Sequence, residues 1–158
     1  DGPATQLSGT RLWCGVYVNE LLMRLAGHND RDDVTFFEDY QDVLQRLQQE
    51  PPAAVLRQFE YRLLCFLGFA LNARDLSEGE SFRWDPTRGL ISAADGVPAQ
   101  ALMALLDGAW DERVKPCRAV LGEMLRAQLG ARPLQSAAML RELTSLQGRS
   151  AAGADAKR

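Results

Sequence analysis

Apolar residues recur along this chain at helical intervals. Val18, Leu21, Leu22 and Leu25 follow an i, i+3, i+4, i+7 spacing that puts them on one side of a helix, and Gly27 with Asn29 supplies its stop. After the aspartate-rich loop HNDRDD the pattern resumes with Phe36, Tyr40, Val43, Leu44 and Leu47, and Asp32 or Asp33 is the expected N-cap. Pro51 and Pro52 then open a third helix, since a proline at the head of a helix forfeits only an amide that would be unbonded anyway. That helix, LRQFEYRLLCFLGFALN over residues 56–72, is apolar on both sides and yet carries two arginines and a glutamate.

From residue 72 to 98 the helical period is lost. FRWDPTRGLIS alternates around a turn holding Pro86 and Gly89, which predicts a hairpin pairing Phe82–Asp85 with Leu90–Ser92. Pro98 stands where a helix can start, and Leu102, Leu105 and Leu106 give that helix its stripe. Val114, Cys117, Leu121, Met124 and Leu125 share a face of the next helix, bent or delayed by Pro116 and ended by Gly130. Ser136 is the expected cap of a last helix running through Leu140, Leu143 and Leu146. The chain therefore reads as mainly α, a compact bundle of about six helices with a small β-hairpin insert. Residues 1–10 read as a linker, 11–147 as the helical domain with its insert at 72–98, and 148–158 as a disordered tail rich in alanine and glycine.

The charges on the third helix are the feature that needs explaining. At about 100° per residue, Leu56, Phe59, Leu63, Leu67 and Ala70 share the arc turned to the core, with Glu60 just inside its edge. A buried, unpaired carboxylate is strongly disfavoured. Glu60 is thus expected either to pair with a neighbouring helix, Arg24 being the candidate, or to reach past its stem to water. Arg57 lies beside Tyr61 and Leu64 at the margin of the packed face. There a guanidinium is either simply solvated or the rim of a hollow, holding a carboxylate while the apolar groups take up a side chain. The pattern alone leaves both open.

Composition narrows the functions. A chain of 158 residues, 46% hydrophobic and 25% charged, suits one folded domain. Its net charge of −3 lacks the basic footprint of a stand-alone nucleic-acid binder. The distribution is uneven: residues 1–50 hold nine acids and four bases, residues 111–158 five acids and nine bases. Cys14, Cys65 and Cys117 are far apart in apolar patterns, reading as reduced thiols of a cytosolic protein, and His28 is the one histidine, so no zinc-ligand spacing exists. Asp30, Asp32 and Asp33 lack the closing glutamate of a calcium loop. With no acid/base or nucleophile constellation either, an enzyme is not expected. The longest apolar run, residues 63–71, is about half of the roughly 20 residues a membrane span needs.

Three segments, GVYVNELLMRL, LRQFEYRLLCFLGFALN and GARPLQS, agree in order and spacing with the C-terminal helical domain of the RecO family of bacterial repair and recombination mediators, which the chain resembles over nearly its whole length. The resemblance implies a non-enzymatic, cytoplasmic, nucleoid-associated protein whose N-terminal oligonucleotide-binding domain precedes this segment. Family members bind and anneal DNA strands, mainly through that missing domain. They are recruited by the acidic, phenylalanine-ended tail of single-stranded-DNA-binding protein, and work with RecR to load RecA. No membrane partner or cofactor is implied.

Carried onto this sequence, the family's arginine-phenylalanine-glutamate run places its arginine at Arg57. The expected tail pocket is then a solvent-facing Arg57 with Phe59, Tyr61 and Leu64, walled by Tyr17 and Leu21. The insert lacks the paired cysteines that form a zinc-ribbon-like site in many relatives, so no metal is expected. The family's serine-arginine at the start of the last helix is here Ser136-Ala137. Arg113, Lys115, Arg118, Arg126 and Arg132 are the alternative cations for DNA. The competing reading is a helical module that only braces the missing domain.

Overall fold

The computed structural model describes residues 9–26 and 34–142. Helix α1 (Thr10–Leu21) runs into a single π turn (Leu22–Ala26), followed by α2 (Val34–Gln49) and α3 (Pro52–Phe66). A three-stranded antiparallel sheet comes next, β1 (Ser81–Asp85), β2 (Gly89–Ser92) and β3 (Val97–Pro98), then α4 (Ala99–Leu106). A 3-10 segment (Glu112–Cys117) leads into α5 (Arg118–Leu129), and residues 135–142 form α6. This is the mainly α fold with a small β insert that the periodicity predicts. The expected caps Asp32 and Asp33, the stop at Gly27 and Asn29, Leu143 and Leu146, most of the linker and the tail lie outside the described residues.

Helix α3 is the axle of the fold. It packs against α1, α2, α4, α5 and the 3-10 segment. Its residues 54–60 are all buried, and Phe59, Leu63 and Leu64 sit among Val18 and Leu21 of α1, Val43 and Leu47 of α2, Leu102 and Leu105 of α4, and Leu121 and Met124 of α5. Each such side chain contributes about 1.5–3 kcal/mol by leaving water. A helix with apolar residues on both sides finds its place where neighbours cover both.

Two boundaries differ from expectation, and the delay at Pro116 follows it. The third helix stops at Phe66 rather than continuing to residue 72, because Gly68 adopts φ 95°, a left-handed conformation that ends the helix as the Gly68 and Phe69 amides turn back to the Cys65 and Leu64 carbonyls. The hairpin gains a third strand, since Val97 and Pro98 pair with β1 before α4 begins. Gly96 makes this possible: a Cβ there would lie 2.4 Å from the Phe82 carbonyl oxygen. Pro116 sits inside the 3-10 segment, so α5 starts only at Arg118.

Long-range polar contacts fix the layers. Glu123 of α5 accepts from the Trp84 amide at 2.9 Å and from Arg83 at 3.1 Å, tying the sheet to the bundle. Gln58 donates to the carbonyls of Leu105 and Ala109, and the guanidinium groups of Arg46 and Arg62 lie over the Trp110 ring, 4.1 and 4.6 Å from its centre. Arg11 donates to the carbonyls of Leu47 and Glu50, joining α1 to the end of α2. Among the described residues, no helix is long and apolar enough to cross a membrane.

Candidate partner-docking site

The structure corrects the picture of Arg57. Its residue is only 8% exposed, and Nη2 donates to Glu60 Oε1 at 2.6 Å. Tyr17, on α1, donates its hydroxyl to the same oxygen, also at 2.6 Å. Arg57 and Glu60 lie three residues apart on one helix face, and α1 closes over that face instead of leaving its margin open. Glu60 therefore pairs with Arg57 and Tyr17, not with Arg24. Burial, followed by the neighbouring Glu60 charge, pushes the Tyr17 phenol well above its usual value. Arg57 Nε and Glu60 Oε2 have no hydrogen-bond partner among the described residues, so this is a buried polar cluster made through one carboxylate oxygen.

The other residues of the expected pocket follow Arg57 inward. Phe59, Leu64 and Leu21 are core side chains, Tyr17 is buried, and only Tyr61 is half exposed. Arg57 is thus not a solvent-facing cation. The five candidate cations divide. Arg113 pairs with Asp111 at 2.8 Å and Lys115 with Glu112 at 2.7 Å, so both are already engaged. Arg118, Arg126 and Arg132 are exposed and make no ion pair among the described residues. Cys14 and Cys117 are buried thiols and Cys65 a half-buried one. Burial raises Cys14, against the charges of Arg11 and Arg57, and pushes Cys117 up to about 12. Among the described residues, no three or more His, Cys, Asp or Glu side chains are grouped to hold a metal.

The open apolar surface lies one helix face away, around the π turn. Met23 is 78% exposed and forms a ridge between two grooves. One, of about 420 Å³, is lined by Leu22, Met23 and Ala26 of the π turn, Phe36, Phe37 and Tyr40 of α2, and Phe66, which stacks on Phe36 at 4.5 Å. Its polar groups face each other, Tyr40 donating to Asn19 Oδ1. The other, of about 560 Å³, runs between α1 and α6, with Trp13, Val16, Met23 and Met139 as its apolar walls and Glu20, Arg24 and Ser136 as its polar ones.

Arg24 gives the second groove its cation. Nη1 donates to the Pro133 carbonyl at 3.1 Å and Nη2 to the Leu129 carbonyl at 3.2 Å. A guanidinium has five N–H donors, so three remain for a ligand carboxylate. Exposed Arg132 adjoins Pro133 in the chain. Glu20 is tied down differently: its carboxylate accepts from the Gln135 amide at 2.8 Å, the Ser136 amide at 2.9 Å and the Ser136 hydroxyl. Ser136, the expected cap of the last helix, is thus not its cap. It lies within the first turn, and a carboxylate from α1 caps that turn. Burial raises the Glu20 carboxyl, but the Ser136 and Gln135 hydrogen bonds and the Arg24 charge outweigh it, leaving it below its ordinary value.

Sequence reasoning missed this groove. The signal was present in Leu12, Val16 and Met23, apolar residues of the first helix outside its core stripe, all of them exposed. The stretch GVYVNELLMRL contains most of the α1 wall, yet periodicity assigns significance only to its buried side.

The family described as Recombination protein O C terminal matches residues 6–81. The chain is 34% identical to DNA repair protein RecO of Aromatoleum aromaticum, over 89% of this chain and 64% of that protein. It is 34% identical to the RecO of Paraburkholderia xenovorans, over 92% of this chain and 54% of that protein. For Erwinia tasmaniensis RecO the identity is 29%, over 96% and 68%. The chain thus spans between about half and two thirds of the length of these relatives. No solved structure matches it. The family match and these relatives taken together show that the chain belongs to the RecO family, whose C-terminal model it matches.

Proposed function

We propose that this chain is a non-enzymatic interaction domain of a DNA repair and recombination mediator. It is recruited by the acidic, phenylalanine-ended tail of single-stranded-DNA-binding protein, and it supports strand annealing and RecA loading with RecR in the bacterial cytoplasm, at the nucleoid. Its relatives carry the name DNA repair protein RecO. The observation that carries the docking step is the groove between α1 and α6, which combines what such a tail needs. Apolar Trp13, Val16 and Met139 offer a seat for an aromatic ring, and Arg24 with nearby Arg132 offers cations for carboxylates. The groove takes over the role that the resemblance assigned to the vicinity of Arg57. Arg118, Arg126 and Arg132, exposed and outside ion pairs, are the proposed contacts to DNA phosphates.

Titration of the folded chain with a labelled peptide of aspartates ending in phenylalanine tests the docking step. Wild type should bind in a salt-dependent manner, Arg24→Glu and Arg132→Glu should abolish binding, and Arg118→Glu should leave it intact. Arg132 makes no hydrogen bond within the described residues, so its variant separates lost binding from lost structure. Equal binding by wild type and Arg132→Glu and Arg24→Glu would return the chain to a brace for its neighbouring domain. For DNA, each phosphate contact removed should flatten the dependence of log affinity on log salt by about one unit.

A further inference from the structure

The groove between α1 and α6 has a carboxylate in its wall, and an acidic ligand entering it meets Glu20. Taken as a bare charge, Glu20 opposes such a ligand. Its hydrogen bonds say otherwise. Oε1 accepts from the Gln135 amide, and Oε2 accepts from both the amide and the hydroxyl of Ser136. The first amides of a helix have no acceptor within it, and a carboxylate among them is stabilised by their aligned dipoles. The charge of Glu20 is thus spent on the start of α6. Ser136 itself is only 3% exposed, and Glu20 is the hydrogen-bond partner of its hydroxyl among the described residues.

Arg24, one turn further along in the π turn that continues α1, takes the carbonyls of Leu129 and Pro133. Together Glu20 and Arg24 hold the link from α5 to α6: the last carbonyl of one helix, the Pro133 carbonyl within the link, and the amides that open the next helix. Met139, one turn into α6, lines the same groove as Trp13 and Val16. The groove exists only while α6 is seated against α1.

We infer that Glu20 is a positioning residue of this groove, holding α6 in place as the second wall so that the ligand is received because of this carboxylate and not in spite of it. The inference rests on the docking site proposed above. It predicts a sign opposite to simple electrostatics. Glu20→Gln keeps the shape but removes a negative charge and turns a donor towards an amide or hydroxyl that needs an acceptor.

The experiment measures affinity for the aspartate-phenylalanine peptide, amide exchange across residues 135–142 in the free protein, and near-ultraviolet circular dichroism as a check on the rest of the fold. Glu20→Gln should lose protection at the start of α6 and weaken the peptide by about fivefold or more, the size of a lost helix cap. Ser136→Ala should act in the same direction, and the double variant should be no worse than Glu20→Gln, because both break one bonded unit. Unchanged or tighter peptide binding by Glu20→Gln, with wild type binding normally, overturns the positioning role. Failure of wild type itself to bind is a different result: it removes the docking reading, and the positioning role with it.

Discussion

Replacing Arg57 by methionine should test the buried cluster most directly. The substitution keeps a long side chain, so the cavity left behind is small and the cost is electrostatic. It leaves the Glu60 carboxylate, 3% exposed, with only the Tyr17 hydroxyl as a partner. Removing one member of a buried ion pair costs about 3–5 kcal/mol. Here Arg57 Nε and Glu60 Oε2 are already without partners, so the pair is held by one bond rather than a bidentate fork, which favours the lower end of that range. A domain of this size has about 5–15 kcal/mol in total. A loss of about 3 kcal/mol should lower the midpoint of thermal unfolding by roughly 6–12 °C. Urea unfolding followed by far-ultraviolet circular dichroism measures the same quantity isothermally. The double variant Arg57→Met, Glu60→Leu should recover much of the loss, since apolar groups often replace a buried pair at no net cost. An arginine on a solvent-facing rim would change stability by only about 0.5 kcal/mol. That small value for Arg57→Met, or a double variant less stable than the single, refutes the reasoning.

Two further outcomes follow from the geometry. Gly96→Ala should unpair β3 from β1 and cost about 1–3 kcal/mol, because the new Cβ meets the Phe82 backbone, which cannot move aside as a flexible side chain would; thermal unfolding and amide exchange at Val97 and at Ala99, whose amide donates to the Glu80 carbonyl, report it. Acid should release α6 first. The Glu20 carboxyl is held below its ordinary 4.5 when folded, so its cap is complete above that value and is lost as the pH falls through the lower folded value. Exchange at residues 135 and 136 should accelerate in that window, and Glu20→Gln should show no such step.

Much of the fold was legible because its signals are local. Pro51 and Pro52 fix the head of α3 through missing amides, and the alternation around Pro86 and Gly89 marks the hairpin, which closes as the Asp85 side chain accepts from the Thr87 and Arg88 amides. The docking site was not legible in the same way. Arg57 occupies a helix flank whose fate depends on α1, and nothing in residues 56–72 says whether α1 covers it. Glu60 needed a partner, as its position demanded, but that partner was three residues away on the same helix and on the distant Tyr17, not Arg24.

The amino-acid order by itself determined the succession of helices and the place of the β insert, that α3 is apolar on both sides, and which family the chain resembles. These depend on backbone chemistry and on a periodicity contained within a few turns. Only the tertiary structure decided that Arg57 is interior, that Glu20 caps a helix 116 residues further along the chain, and that the open apolar surface gathers around Met23. Burial and capping of that kind are properties of pairs of segments, and the pairing is set by how all the helices share one core.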